Sequence, residues 1–142
     1  MSASSTTPTE DHFDVAIIGA GQSGGPLAAA FANAGKTTVL IERKHIGGTC
    51  VNEGCTPTKT LIASGAVAWR AQRGAEFGIE TGEVAANMPA IRGRVAEVVR
   101  IWREGSERGI FGTKGLAFIK GQARFLGSKR LHVSLDGGGS AC

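Results

Sequence analysis

The sequence predicts an α/β fold in which a parallel sheet carries a small antiparallel β meander. Three observations predict it. Residues 13–42 run from a short apolar, β-branched stretch through a glycine-rich turn and an alanine-rich stretch to a second apolar stretch, the pattern of a βαβ unit. Residues 58–73 and 88–108 then carry apolar side chains at helical spacing. Finally, GLAFIKGQARF and RLHVSL flank a turn at Gly127–Lys129, as two hairpin strands do.

The bulk properties bound the answer. With 142 residues the chain is long enough for one domain with a real core, and its 22 glycines promise tight turns. Sixteen basic and 12 acidic residues leave a net charge of +4. Much of the positive charge follows Arg70, spread among glutamates and without interleaved aromatics, which reads as a solvated face rather than a nucleic-acid surface. The opening MSASSTTPTED is polar and unlike a secretory signal, so residues 1–12 are expected to form a disordered tail. No apolar run approaches a membrane span. A cytoplasmic protein is expected, with no membrane or nucleic-acid partner. In that compartment a close cysteine pair is catalytic or metal-binding more often than structural.

The first element is FDVAII, a strand ending at Gly19. Gly19, Gly21 and Gly24 follow in G-x-G-x-x-G spacing. PLAAAFANAG continues as a helix, with Pro26 tolerable in its first turn and Gly35 as its stop. TTVLI, residues 37–41, is the second strand, and Glu42 stands at its end, 18 positions after Gly24. Glycines at this turn let backbone N–H groups approach a pyrophosphate, and the helix N-terminus adds its partial positive charge. An acid at the end of the second strand suits a ribose 2′-hydroxyl and disfavours a 2′-phosphate. The motif alone fits NAD or the ADP half of FAD equally.

The stretch IGGTCVNEGCTPTKT places Cys50 and Cys55 five positions apart, two of the chain's three cysteines. On a regular helix their Cα atoms would lie nearly 9 Å apart, beyond the roughly 4.4–6.8 Å of a disulfide. A bond between them therefore demands a distorted turn, which Asn52 and Gly54 tolerate. Pro57 suits the first turn of a helix over about Thr58–Arg73, which would put one thiol near a helix N-terminus, where its pKa falls; Lys59 adds positive charge. A lowered thiol beside a partner thiol is what dithiol–disulfide exchange requires. Zinc would want a second pair or spaced histidines, and His45 is alone. Two inert buried cysteines are the remaining reading.

GGTCVNEGCTPTK resembles the redox-active disulfide signature of the class I pyridine nucleotide–disulfide oxidoreductases, the family of dihydrolipoamide dehydrogenase, glutathione reductase and mercuric reductase. FDVAIIGAGQSG, IERKHIGGTC and GLAFIKGQARF extend the resemblance over nearly the whole chain. It implies a Rossmann-like FAD-binding domain, represented over residues 13–142 by its N-terminal part, with the NAD(P)H and dimer-interface domains absent from this sequence. It further implies that Gly19, Gly21 and Gly24 hold the FAD pyrophosphate and Glu42 the adenosine ribose. Gly48 and Thr49 would lie along the flavin, and the backbone near Ala123 would approach the adenine. Cys50 would be the interchange thiol, Cys55 the thiol against the flavin ring, and Lys59 the lysine that tunes that ring. Electrons would pass from NAD(P)H through FAD to a Cys50–Cys55 disulfide and on to a small-molecule disulfide or a mercuric ion, in a homodimeric parent. A contrasting expectation is a chain without turnover of its own, a partial FAD-binding module or a thiol pair that binds a soft metal.

The sequence departs from the family's commoner pattern in three places. CTPTK stands where C-V-P-S-K or C-I-P-S-K is usual, Glu53 lies between the cysteines, and Gly25–Pro26 follows the glycine motif. A carboxylate at Glu53 is expected to raise the thiol pKa. Downstream, Leu61, Ile62, Ala66 and Trp69 on the first long helix are expected to pack into a core. The same is expected of Ile91, Val95, Val98, Val99 and Trp102 on the second, which Gly93 weakens locally. Residues 75–84 read as a loop. His12, His45 and His132 read as surface residues, and the terminal Cys142 matches no motif.

Overall fold

A computed structural model describes residues 11–135 and 139–141. The disordered tail expected at the N-terminus falls almost wholly on residues 1–10, outside the described residues; Asp11 and His12 are exposed and without regular structure. Cys142 also lies outside them. The chain divides into two compact units, Met1–Gly48 with Ser106–Cys142, and Thr49–Gly105.

The first unit is built on a sheet of order β1-β2-β3-β4-β5. Strands β1 (Val15–Ile18), β2 (Thr38–Glu42) and the first half of β3 (Leu116–Gly127) pair in parallel, with Ile17 opposite Leu40 and Leu40 opposite Phe118. From Gly121 onward β3 pairs antiparallel with β4 (Arg130–Leu135), which pairs in turn with the two-residue β5 (Ser140–Ala141). The expected parallel sheet and antiparallel meander are thus one continuous surface, and β5 was not foreseen. All five residues of β2 are buried, as a central parallel strand covered on both faces should be. Leu40 points to one face, among Ala20, Ala28, Ile46 and Ile110; Val39 and Ile41 point to the other, with Val133.

Helix α1 (Gly24–Asn33) begins two residues before Pro26, whose missing N–H has no acceptor in a first turn. Its inward line is made of small residues, Gly25, Ala28 and Ala32, which lets it lie close to the sheet.

The second unit contains Thr49–Asn52 of α2 (Gly48–Asn52), α3 (Cys55–Gln72), a 3₁₀ turn (Gly74–Phe77) and most of α4 (Met88–Phe111). Helix α3 starts three residues earlier than expected, because Pro57 occupies its third position and loses no hydrogen bond there. Helix α4 runs on through Gly93 to Phe111. The expected core packing is corrected here. Leu61, Ile62 and Trp69 are 47%, 67% and 55% exposed and Trp102 is 61% exposed, while Val99 is buried and Ile91, Val95 and Val98 are half-buried. Ala66 is half-buried as expected, and the covered side of α3 otherwise carries Thr60, Ser64, Ala68 and Ala71. Helical spacing identifies which residues share a face; it does not say which face turns inward.

Candidate functional site

In the first unit the glycine motif forms a tight link between the ends of β1 and β2. Gly19 donates its N–H to the Ile41 carbonyl at 2.8 Å. A methyl group on Gly24 would sit 1.8 Å from the Gly19 carbonyl oxygen, and one on Gly48 would sit 2.8 Å from Gly21 Cα, at a φ of +61°. No side chain fits at either place. Two distant segments of chain, 19–24 and 45–48, are thereby drawn together, with Gly47 N–H donating to the Ala20 carbonyl at 2.8 Å and Gln22 Nε2 to the Gly47 carbonyl at 3.3 Å. Helix α1 has no side-chain N-cap and no acid in its first turn. Pro26 has no N–H and Gly25 gives its own to the Gly21 carbonyl at 3.2 Å, so the Gly24 N–H and the positive end of the helix dipole are what the first turn offers an incoming anion.

Glu42 is buried at 9% exposure. Its Oε2 accepts the Ala20 N–H at 2.8 Å and its Oε1 the Lys44 N–H at 2.7 Å. Each carboxylate oxygen keeps a second lone-pair direction. A hollow of about 310 Å³ opens beside it, lined by Ile18, Gly19, Glu42, Gly121, Gln122 and Ala123. A second hollow of about 270 Å³ is lined by Gly21, Gln22, Gly25, Gly47, Ser106 and Ile110, among others. Of the residues singled out from the sequence, Gly19, Glu42 and Ala123 therefore share one concavity, and Gly21, Gly24 and Gly48 form its adjoining loop.

Thr49, Cys50, Cys55 and Lys59 belong to the second unit. Helix α2 stops at Asn52, two residues intervene, and α3 begins at Cys55. This is the kind of break that a bond between the two cysteines would require, although both are free thiols here. Gly54 makes it possible, since a methyl group there would lie 3.1 Å from the Thr49 carbonyl oxygen and 3.5 Å from Cys50 Cα. The Thr49 carbonyl accepts the Glu53 N–H at 2.9 Å, and Thr58 returns its N–H and hydroxyl to the Gly54 carbonyl at 3.1 and 2.7 Å. Both cysteines are free thiols, Cys50 half-buried and Cys55 exposed at the first position of α3.

The thiols touch. The Cys50 S–H donates to Cys55, and this bond, with burial and the neighbouring Cys55 charge, pushes the Cys50 thiol above its ordinary range. The Cys55 N–H and the Lys59 ammonium pull the other way without prevailing. Cys50 lies in α2 rather than at the start of α3, and Cys55 rather than Glu53 is the chief reason its thiol is raised. A hydrogen bond given by a thiol stabilises its neutral form.

Sequence motifs missed the groups that hold this turn. Arg103 Nε donates to Asn52 Oδ1 at 2.6 Å, and Arg94 Nη1 to the Thr60 carbonyl at 3.0 Å. Contacts between residues more than 30 positions apart leave no local signal. Among the histidines, His12 and His45 are exposed as expected, but His132 is half-buried, with its Nδ1 buried and unpaired. Among the described residues there is no cluster of three or more metal-ligating side chains, and no helix is long and apolar enough to cross a membrane.

A glycine-rich loop at the ends of parallel strands, together with a thiol pair across a helix break, defines the class: an α/β protein of Rossmann type that carries a dithiol. The chain belongs to the pyridine nucleotide-disulphide oxidoreductase family, whose model matches residues 13–137. It is 35% identical over 121 residues to a dihydrolipoyl dehydrogenase of Chlamydia trachomatis, and 35% identical over 130 residues to a mercuric reductase of Streptomyces lividans. These alignments cover 85% and 91% of the chain but 26% and 27% of the relatives, so the chain spans about a quarter of their length. Among solved structures it is similar to the Cu(II) complex of the HOCl-induced flavoprotein disulfide reductase RclA from Escherichia coli. That match has a TM-score of 0.71 and 30% identity, over 92% of this chain and 26% of that one. The family is FAD-dependent and takes electrons from NAD(P)H.

Proposed function

We propose that this chain is the FAD-binding, dithiol-bearing part of a flavoprotein disulfide reductase. Residues 13–142 supply the N-terminal portion of its FAD domain, and the NAD(P)H and dimer-interface domains belong to the remainder of a homodimeric enzyme. The observation that carries the reading is the break between α2 and α3, which sets two free thiols, Cys50 and Cys55, on either side of one tight turn.

The residues present fit an adenine dinucleotide. The uncapped first turn of α1 and the loop at Gly19, Gly21 and Gly24 receive the pyrophosphate. Glu42, with lone pairs left after its two backbone bonds, accepts a ribose hydroxyl. The hollow bounded by Glu42 and Ala123 takes the adenosine end, and the backbone at Gly48 and Thr49 extends along the flavin. When bound, FAD supplies the two-electron link between NAD(P)H and the cysteines.

The thiols do the rest. The Cys50 thiolate attacks one sulfur of a small-molecule disulfide, forming a mixed disulfide and releasing one substrate thiolate. The Cys55 thiolate then attacks Cys50 Sγ, releases the second thiolate and closes the Cys50–Cys55 disulfide. The pair has then lost two electrons and must be reduced again before a second turnover. Lys59 favours the Cys50 thiolate electrostatically. A mercuric ion held between the two sulfurs is the substrate in a mercuric-reductase-like parent.

The test is an absorbance spectrum of the purified chain after saturation with FAD, before and after stepwise reduction. Flavin bands that stay with the protein after free FAD is removed, and a long-wavelength charge-transfer band on two-electron reduction that Cys55→Ser removes, are expected. A chain that retains no flavin at micromolar concentrations overturns the cofactor assignment for this module.

A further inference from the structure

Arg103 lies 51 positions from Asn52 in the sequence and outside every motif, yet the two form a 2.6 Å side-chain hydrogen bond. Asn52 is the last residue of α2, two positions after Cys50 and immediately before the break that admits Cys55. A helix of five residues cannot hold itself in water. Its tertiary anchors include Val51, 2% exposed, and the bond from Arg103 at its end. Arg94, on the same helix α4, grips the Thr60 carbonyl of α3 at 3.0 Å. Helix α4 thus reaches both helices that carry the thiols, Arg103 binding α2 and Arg94 binding α3.

We propose that Arg103 is a positioning residue of the dithiol: it fixes the end of α2 so that the Cys50 thiol stays within reach of Cys55. This rests on the dithiol–disulfide reading above. Without the bond, α2 gains freedom at the residue where the chain turns. The thiols then meet less often, their effective concentration falls, and the disulfide they form becomes easier to reduce.

The experiment equilibrates the 142-residue chain in glutathione buffers of graded composition. Each Cys50–Cys55 bridge formed converts one oxidised glutathione into two reduced ones, and peptide mass spectrometry reads the fraction bridged. Arg103→Met keeps an apolar stem and removes the donor; Asn52→Ala removes the acceptor and keeps Arg103. Each is expected to lower the bridging equilibrium constant by about tenfold, the worth of one charge-assisted hydrogen bond, or about 30 mV for a two-electron couple. The double variant should lose no more than either single one. Asn52→Asp keeps the acceptor and should bridge like the parent. Unchanged equilibrium constants in the single variants, or losses that add in the double, overturn the positioning role and leave the dithiol reading intact. A parent chain that never bridges overturns both. Should Arg103→Met fail to fold, Asn52→Ala against Asn52→Asp carries the same comparison.

Discussion

The Glu42 carboxylate accepts the backbone N–H of Ala20 across 2.8 Å, joining the end of β2 to the first residue inside the glycine loop. Ala20 is 1% exposed, so water cannot replace this acceptor. Glu42→Ala should therefore cost about 1–3 kcal/mol of folding stability even without ligand. Urea denaturation at neutral pH measures it, and a loss below about 0.5 kcal/mol would show that Glu42 serves only a ligand.

Gly24 tolerates no side chain, since its Cβ would lie 1.8 Å from the Gly19 carbonyl oxygen. Gly24→Ala must displace the loop or the start of α1, at roughly 1–3 kcal/mol, and misdirect the residue-24 N–H. Weakened FAD binding, read by flavin fluorescence titration, should accompany the lower denaturation midpoint. Undiminished FAD affinity in a folded Gly24→Ala protein would contradict the placement of the pyrophosphate.

The Cys50 thiol is held above its ordinary range chiefly by the bond it donates to Cys55. The neutral thiol is the form favoured by folding. Its contribution is fully present below the unfolded thiol pKa and is lost as pH rises through the folded value. Alkylation of Cys50 by iodoacetamide, followed by mass spectrometry, should rise at a more alkaline pH than in the urea-unfolded chain. Cys55→Ala should move that rise to lower pH. A rise at the same pH in Cys55→Ala would remove Cys55 as the cause.

Lys59 acts on the same thiol with the opposite sign. Lys59→Met should shift the alkylation profile of Cys50 further to alkaline pH, with little change in the denaturation midpoint. The profile is the deciding measurement, and a shift toward acid would be incompatible with an electrostatic role.

Leu61, Ile62 and Trp69 form an exposed apolar stripe on α3. Ile62, 67% exposed, should accept lysine at a cost within about 0.5 kcal/mol in the isolated chain. A loss above about 2 kcal/mol in urea titrations would mean that the stripe is covered within this chain after all.

The βαβ unit was legible because several local signals agree there: the β-branched run, the glycine spacing, Pro26 in a first turn, and Glu42 at a strand end. The thiol turn was legible in part. The spacing of Cys50 and Cys55 excluded a regular helix only if the two bond, and Asn52 and Gly54 marked where a distortion is tolerated. Other features depend on groups that meet only in the folded chain. The raised Cys50 thiol comes chiefly from its neighbour Cys55, whereas the sequence offered Lys59, a helix start and Glu53. Glu42 read as a ribose ligand, because its bond to the Ala20 N–H follows from loop geometry rather than residue type. Arg103 was invisible because nothing near it in sequence distinguishes it from the other arginines of α4. The inward face of α3 was misassigned because Thr60 and Ser64 satisfy their hydroxyls on carbonyls one turn back, at 2.8 and 3.4 Å. That removes the cost of turning them inward.

Strand β3 serves two ladders along a single backbone, parallel to β2 over Leu116–Lys120 and antiparallel to β4 from Gly121. The meander therefore has no hinge of its own. Any fluctuation that peels β4 away tugs on the residue next to Lys120, which is already committed to Glu42 across the ladder. Opening of the hairpin and loosening of the strand end that carries Glu42 become one event. Amide hydrogen exchange should register this as a shared opening rate for Ile119 and Ala123, which face different partners but travel on the same rail.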